Sequence, residues 1–150
     1  MMYIRNPNAF EVVKLLDHAV IPEKAHLGDL GWDLFCGEQE TLFPGEYKLI
    51  STGVAVRFPD GFGAFIKDRS SISSKQGIFV HAGVIDNEYR GEIKILMHNV
   101  SGKVKTFYRG DKVAQMVIIP VFEHSLGITE VEEFTNETSR GDKGFGSTGE

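Results

Sequence analysis

The sequence predicts a single all-β domain built from short strands with at most one short helix. The chain has 17 glycines among its 150 residues, and turn-forming residues recur about every 8 to 14 positions along it. The segments between these turns carry the alternating or continuous apolar patterns of strands. Many short strands joined by tight turns in one chain of this length are typical of a sandwich, a jelly roll or a distorted barrel.

The strand segments differ in how many faces they are expected to bury. Tyr47–Phe58 and Ile93–His98 alternate between apolar and polar residues, so each should cover the core with one face. Val113–Val121 is an almost continuous apolar run, which predicts a strand buried on both faces.

The remaining segments are a short helix and a C-terminal arm. Arg69–Gln76 is the one helical candidate, limited to one or two turns because Gly77 ends it. From about Glu132 onward the chain is rich in Gly, Ser and Thr and has no core-forming period. We therefore predict a β domain over residues 1–134 and a flexible arm over residues 135–150.

Composition and charge exclude several classes of function. The hydrophobic fraction of 41% and the charged fraction of 25% are those of a soluble globular protein. No apolar stretch approaches the roughly 20 residues of a membrane helix, and no signal-peptide layout is visible, so we expect a cytoplasmic protein without membrane attachment. A single cysteine, Cys36, excludes an internal disulfide and a multi-cysteine zinc site. A net charge of −5 argues against stable nucleic-acid binding, so phosphate groups must be bound locally.

The segment Gly83–Glu92, which reads GVIDNEYRGE, is the most informative of the candidate site motifs. Apolar stretches flank its central Asp-Asn-Glu, so a hairpin would bring Asp86 and Tyr89 to one turn. A carboxylate there is a candidate general base. Asp is also common in hairpin turns for backbone reasons alone, and the segment by itself leaves both interpretations open.

Two more segments are suited to phosphate. Asp68–Ser71 stands at the start of the short helix, where hydroxyls and backbone N–H groups can bind phosphate oxygens, although the same residues suit an ordinary helix cap. Arg140–Gly149, which reads RGDKGFGSTG, offers glycines, hydroxyls and an aromatic ring. It is not a Walker motif, because no lysine follows Gly146, no buried strand precedes it and no helix can follow it.

Together with the weaker segments Gly31–Leu34 (GWDL) and Arg109–Met116 (RGDKVAQM), these motifs resemble the five ordered motifs of the trimeric dUTPase family. The resemblance extends over most of the chain. It implies a jelly-roll fold, a homotrimer, and active sites that are each built from three subunits. It further implies Mg²⁺-dependent hydrolysis of dUTP at the α-phosphorus to dUMP and pyrophosphate, which keeps uracil out of DNA and supplies dUMP for thymidylate synthesis.

The resemblance also assigns roles in the half of the site that binds the nucleoside. Asp86 would be the general base that activates the attacking water. Tyr89 would lie under the deoxyribose and leave no room for a 2′-hydroxyl. The uracil edge would pair with backbone groups of Gly83, Val84 and Ile85, which rejects cytosine by leaving polar groups unpaired.

The phosphate chain and the metal would be bound by residues of other motifs. The residues from a second subunit would be Arg69, Ser70, Ser71 and Gln115. The arm residues from a third subunit would be Arg140 on the γ-phosphate, Phe145 over the uracil, and Gly146, Ser147 and Thr148 along the phosphates. Asp33 resembles the family acid that supports magnesium through bound water. Closure of the arm would exclude bulk water.

Three positions depart from the family pattern, and two other functions stay open. Trp32 stands where Tyr is usual, Ser71 where Gly is frequent, and Lys143 where Gly is usual. A dCTP deaminase of the same fold is the nearest alternative, although that branch typically has Pro-Gly after the hairpin Asp, where this chain has Asn87-Glu88. A non-enzymatic, nucleotide-dependent regulator of another protein is the second alternative.

Overall fold

The computed structural model describes residues 9–122, 126–135, 138–139 and 141. In chain order, its strands are β1 (Glu11–Lys14), β2 (Gly31–Phe35), β3 (Glu40–Leu42), β4 (Tyr47–Arg57), β5 (Phe62–Lys67), β6 (Ile78–His81), β7 (Val84–Ile85), β8 (Glu92–Asn99), β9 (Lys105–Phe107) and β10 (Lys112–Pro120). The helix α1 (Ser70–Gln76) lies between β5 and β6. The prediction of an all-β fold with one short helix is confirmed.

The described strands form three sheets and no closed barrel. One sheet has the order β1-β4-β8-β6, a second has the order β2-β10-β5-β7, and β3 pairs with β9 alone. All the pairings are antiparallel. Strand β10 lies inside its sheet, and Pro120 is its one exposed residue. The continuous apolar pattern predicted burial on both faces, but Gln115 and residues 117–119 are only half-buried.

All three sheets and the helix contribute to one hydrophobic core. Its largest fully buried apolar side chains are Phe107, Leu34, Leu42, Ile50, Ile78, Ile93, Ile95, Met97 and Met116. In β8 the buried residues alternate with more exposed ones, so this strand covers the core with one face, as its sequence pattern predicted. No helix of the described residues is long and apolar enough to span a membrane.

Strand β4 departs from simple alternation because its pairing with β8 contains a bulge. Ser51 pairs with Lys94 and Ala55 with Glu92, so β4 has extra residues between these two pairs. The stretch of β4 from Thr52 to Val56 is buried at every position. A bulge breaks the two-residue period of a strand, so simple alternation is not expected across this stretch.

Helix α1 is short and begins without a side-chain cap. Arg69 at its N-cap position is extended and makes no capping hydrogen bond. The helix ends at Gly77, which has φ 64° and donates its N–H to the Ser73 carbonyl at 3.2 Å. A left-handed glycine of this kind is the usual helix stop, so the predicted end is confirmed.

Candidate active site

The predicted hairpin around Asp86 is instead a connection between two sheets, because β7 pairs with β5 while β8 pairs with β4 and β6. The name hairpin is kept for this connection, which begins with two residues in left-handed backbone conformations. Ala82 has φ 55° and Gly83 has φ 93°, and they join β6 of the first sheet to β7 of the second. A Cβ on Gly83 would lie 2.8 Å from the Ile66 carbonyl oxygen, and Ile66 donates its own N–H to the Gly83 carbonyl at 2.7 Å. Glycine is required here because both the φ angle and the close strand contact exclude a side chain.

A cavity of about 280 Å³ opens on one side of this hairpin. Its lining contains every residue that the sequence predicted for the nucleoside half of the site: Gly83, Val84, Ile85, Asp86 and Tyr89. It also contains residues that the sequence interpretation missed, namely Leu49, His81, Ala82, Glu92, Lys94 and Leu96. Glu92, Lys94 and Leu96 alternate along β8 and therefore share one face of the strand. The alternating sequence pattern, combined with the sheet register, was the signal that could have predicted them.

Asp86 stands at the exposed tip of the hairpin with its carboxylate unpaired. Its backbone carbonyl accepts the Tyr89 N–H at 3.2 Å, which closes the turn. Its carboxylate has no hydrogen bond or ion pair to any other described residue. An exposed carboxylate without a partner is placed to accept a proton from a bound water.

The Tyr89 ring is fixed on the same tip. Its hydroxyl donates to the Glu92 backbone carbonyl at 2.9 Å. Gly91 gives the ring its space, because a Cβ on that residue would collide with the Tyr89 phenol. Tyr89 is 44% exposed as a residue and lines the cavity, so it is available to a ligand there.

Glu92 joins this hairpin to the bulge of β4. One carboxylate oxygen accepts hydrogen bonds from the Ser51 hydroxyl and from the Gly53 N–H, the latter at 2.9 Å. Lys94 lies 3.6 Å from the other oxygen. Burial raises the pKa of the Glu92 carboxyl, but these hydrogen bonds and the Lys94 charge outweigh burial and hold the pKa below its usual value.

A second cluster of polar residues lies where β5 leads into α1. The Arg69 Nε lies 3.2 Å from one oxygen of Asp33, and the Lys112 Nζ lies 2.7 Å from the other. The Gln115 side chain donates to the Asp68 carbonyl at 2.8 Å. The register β2-β10-β5 explains the assembly, because Gln115 pairs with Asp33 on one side and with Lys67 on the other.

This second cluster brings together the predicted phosphate ligands and adds one cation. Arg69, Asp33 and Gln115 lie together, and Ser70 and Ser71 are exposed at the start of α1. Lys112 was missed, although it lies inside the RGDKVAQM motif. Its hydrogen bond to Asp33 raises its pKa against the opposing effect of desolvation, and nearby carboxylates raise it further. The cluster therefore presents two fixed cations around one carboxylate.

Trp32 directly precedes Asp33 in β2, and its side chain packs against the hydrophobic core. Its ring meets the edge of Phe10 at a centroid distance of 4.9 Å and an interplanar angle of 90°. The Lys24 Nζ lies 5.2 Å from the centre of the Trp32 ring, within range of a cation–π interaction. The larger ring at this position is therefore accommodated by packing of its own.

The two clusters lie at opposite ends of β5. Ile85 pairs with Ala64, so the Asp86 backbone lies beside Gly63, six residues before Arg69. Strand β5 runs to Lys67 and Arg69 is itself extended, so at about 3.3 Å per residue the two backbones are up to about 20 Å apart. Within the described residues, no hydrogen bond or ion pair links Asp86 or Tyr89 to the Arg69 cluster.

Several predictions concern residues that the structure leaves undescribed, and the metal prediction rests on Asp33 alone. Arg140, Phe145, Gly146, Ser147 and Thr148 lie outside the described residues. Among the described residues, no group of three or more His, Cys, Asp or Glu side chains is arranged to bind a metal ion. The Asp33 carboxylate is occupied by Arg69 and Lys112.

Comparisons with known proteins give one result. The dUTPase family model matches residues 17–149. Deoxyuridine 5′-triphosphate nucleotidohydrolases of Hydrogenobaculum sp. and Clostridium novyi are 43% and 46% identical over 141 and 140 residues, and each alignment covers 92% of this chain and 96% of the relative.

Solved structures agree in fold. The dUTPase of Staphylococcus bacteriophage 80alpha with dUpNHpp has a TM-score of 0.83 and 31% identity, covering 95% of this chain and 99% of that one. A variant of the phage phi11 dUTPase of S. aureus, whose structure describes coordination of a structural Mg(II) ion, has a TM-score of 0.77 and 30% identity over 86% of this chain and 100% of that one. The jelly-roll prediction is thereby confirmed, and the chain belongs to the dUTPase family.

Proposed function

We propose that this protein hydrolyses dUTP to dUMP and pyrophosphate. The observation that carries the proposal is the cavity beside the Gly83 hairpin, which holds an unpaired carboxylate, a fixed tyrosine ring and strained backbone in one place. Strained backbone at a cavity is typical of ligand-binding sites. The family and the names of its relatives supply the substrate. In the cell, this reaction keeps uracil out of DNA and provides dUMP for thymidylate synthesis.

In this proposal, Asp86 takes the proton of the water that attacks the α-phosphorus. The Tyr89 ring supports the deoxyribose, and backbone groups of residues 83–85 pair with the uracil edge. These polar groups would stay unpaired with cytosine, which is the basis for rejecting it. Because the Tyr89 ring lies under the deoxyribose, it leaves no room for a 2′-hydroxyl.

The Arg69 cluster binds the phosphate chain. Arg69 uses its Nε on Asp33 and donates from Nη1 to the Lys112 carbonyl at 3.5 Å, so Nη2 is its donor for phosphate, and Ser70, Ser71 and Gln115 add polar contacts. Such fixed donors stabilise the charge that develops on the phosphates without reorganising during the reaction. Lys112 adds a second cation to this half of the site.

Asp33 fits the role of a water-mediated magnesium contact. Magnesium keeps much of its water and is usually held by one or two carboxylates together with substrate phosphates. Because Arg69 and Lys112 already balance the Asp33 charge, a divalent cation is expected to join only with the triphosphate. Bound magnesium would neutralise phosphate charge during the reaction.

The active form in this proposal is a homotrimer. The backbones of Asp86 and Arg69 in one chain are up to about 20 Å apart along β5, and no described contact joins the two residues. This separation favours sites that combine Asp86 of one subunit with Arg69 of a second. Cyclic symmetry then makes all three sites equivalent. Exposed apolar side chains on the single chain, among them Tyr47, Leu49 and Val84, are available for such contacts.

The arm over residues 135–150 completes the site from a third subunit. Arg140 contacts the γ-phosphate, Phe145 covers the uracil, and Gly146, Ser147 and Thr148 follow the phosphates. Removal of the chain from Thr138 onward should leave folding intact and abolish turnover. Substantial activity in the truncated protein would refute this role for the arm.

The first experiment measures pyrophosphate release from dUTP, dTTP, dCTP and UTP with magnesium, for wild type and Asp86→Asn. Hydrolysis of dUTP alone, lost in the variant, supports both the reaction and the base. Ammonia release from dCTP would support the deaminase alternative, and no reaction with any nucleotide would favour a regulator.

Mixing two inactive variants tests the shared site. Asp86→Asn and Arg69→Ala are each expected to be inactive as pure proteins. When they are unfolded and refolded together in equal amounts, about one quarter of the sites combine an intact Asp86 with an intact Arg69 from a neighbour. Recovery of about that fraction of wild-type activity supports the trimer model, and no recovery would refute it.

A further inference from the structure

The side chain of Asn87, the residue after Asp86, ties the tip of the hairpin to the body of the protein. Its Nδ2 donates to the Pro59 carbonyl at 2.8 Å and to the Phe62 carbonyl at 2.7 Å. An amide nitrogen has two hydrogens, so both are used here. The side chain is half-buried between the hairpin and the turn that joins β4 to β5.

The turn that accepts these bonds is itself well anchored. Phe62 donates its N–H to the Pro59 carbonyl at 3.2 Å, which closes the turn. Val121 donates its N–H to the Gly61 carbonyl at 2.8 Å, which connects the turn to the end of β10. Asn87 is therefore bound to a turn that is held by the second sheet.

The residue before Asp86 is held by the same sheet. Ile85 pairs with Ala64 of β5. Gly63 allows this close approach, because a Cβ on it would lie 3.0 Å from the Ile85 carbonyl oxygen. Asp86 thus lies between two anchored neighbours, while its own carboxylate has no partner in the described part of the chain.

We infer that Asn87 is a positioning residue for Asp86. Its two hydrogen bonds fix the backbone at the tip and leave the Asp86 carboxylate free to bind and deprotonate the attacking water. Aspartate has the same shape but no hydrogens to donate when ionised, and alanine has neither group. The inference rests on the proposed hydrolysis of dUTP, and it adds a residue that acts through the base without contacting substrate.

The test compares Asn87→Ala and Asn87→Asp with wild type, and uses Glu88→Ala as the matched control. Glu88 is exposed on the same tip and makes no hydrogen bond or ion pair to the described residues. The measurements are kcat and KM for dUTP, binding of dUpNHpp by calorimetry, and the thermal midpoint.

Displacement of a catalytic group by about 1 Å can lower a rate about 100-fold. We therefore expect kcat to fall about 10- to 100-fold in both Asn87 variants, while KM and dUpNHpp affinity stay within about threefold of wild type. Glu88→Ala should keep wild-type kcat. Asn87→Ser, which keeps one donor, should lie between wild type and Asn87→Ala.

Two results would overturn the inference. One is a kcat within about twofold of wild type in Asn87→Ala or Asn87→Asp. The other is loss of dUpNHpp binding and of the folded circular dichroism spectrum together with activity in every Asn87 variant, which would show a general structural role. A wild-type protein that does not hydrolyse dUTP would instead refute the proposed function.

Discussion

Replacement of Gly83 by alanine should destabilise the hairpin through two separable effects. A residue with a side chain in the left-handed region costs about 1 to 2 kcal/mol, and Gly83 has φ 93°. Its new Cβ would also lie 2.8 Å from the Ile66 carbonyl oxygen, so the strands must separate. That shift strains the 2.7 Å hydrogen bond from Ile66 to Gly83, at a cost of about 0.5 to 1.5 kcal/mol. We expect a total loss of about 1.5 to 3.5 kcal/mol.

Two other glycines separate these effects. Gly45 has φ 78° and nothing within 4 Å of a built Cβ, so Gly45→Ala measures the backbone strain alone. Gly63 has an ordinary φ and a Cβ position 3.0 Å from the Ile85 carbonyl oxygen, so Gly63→Ala measures the close contact alone. Urea unfolding followed by circular dichroism at one fixed protein concentration gives the three free energies of unfolding.

The order of these three free energies of unfolding separates the backbone strain from the close strand contact. Gly83→Ala should lose more free energy of unfolding than either control, and its dUTP hydrolysis should fall about tenfold or more because the cavity wall moves. If Gly83→Ala is no less stable than Gly45→Ala, the strand contact does not limit this position. If its kcat and KM also match wild type, the hairpin does not shape the substrate cavity.

Three further predictions concern ionisable residues. The Glu92 pKa is held below 4.5, so its ionised form stabilises the fold above the unfolded-state pKa, and this stabilisation is lost as pH falls through the folded pKa. In acid unfolding, Glu92→Gln should therefore lose less free energy of unfolding than wild type. Equal losses in the two proteins would contradict this prediction. Burial raises the pKa of Cys36 to about 11, so iodoacetamide at pH 8 should modify the thiol in urea but not in the native protein, and rapid native modification would refute it. Asp33→Asn frees Arg69 and Lys112, so the KM for dUTP should rise roughly tenfold and more magnesium should be needed for half-maximal rate; unchanged values in both titrations would exclude a positioning role for Asp33.

The long elements of the fold were predictable because their patterns depend on the residues within them. The segments predicted at 47–58, 93–98 and 113–121 appear as β4, β8 and β10, and no strand end differs from its predicted position by more than one residue. The shortest strands were not predicted individually. Strand β7 has only two residues, which is too short for any period, and it exists because Gly63 and Gly83 let the hairpin approach β5.

The site was predictable as motifs but not as an assembly. The motifs contained Asp86, Tyr89 and Arg69, since each acts through its own chemistry. Lys112 and Asn87 were missed as site residues because their importance comes from partners far along the chain, which only the sheet register brings close. The separation of Asp86 from Arg69 was not predicted either. The two residues are 17 positions apart in the sequence, and this spacing does not show that they lie near opposite ends of β5.

The packing of Trp32 gives the protein a built-in optical reporter. It is the single tryptophan of the chain, and it stands next to Asp33 with Phe10 and the Lys24 ammonium against its ring. Lys112 pairs with Glu23, the residue before Lys24, and indole emission responds to nearby charge, so rearrangement of these ion pairs should change the fluorescence of the unlabelled protein. Rapid mixing with dUpNHpp would then time the arrival of phosphate groups separately from bond cleavage, without any introduced dye.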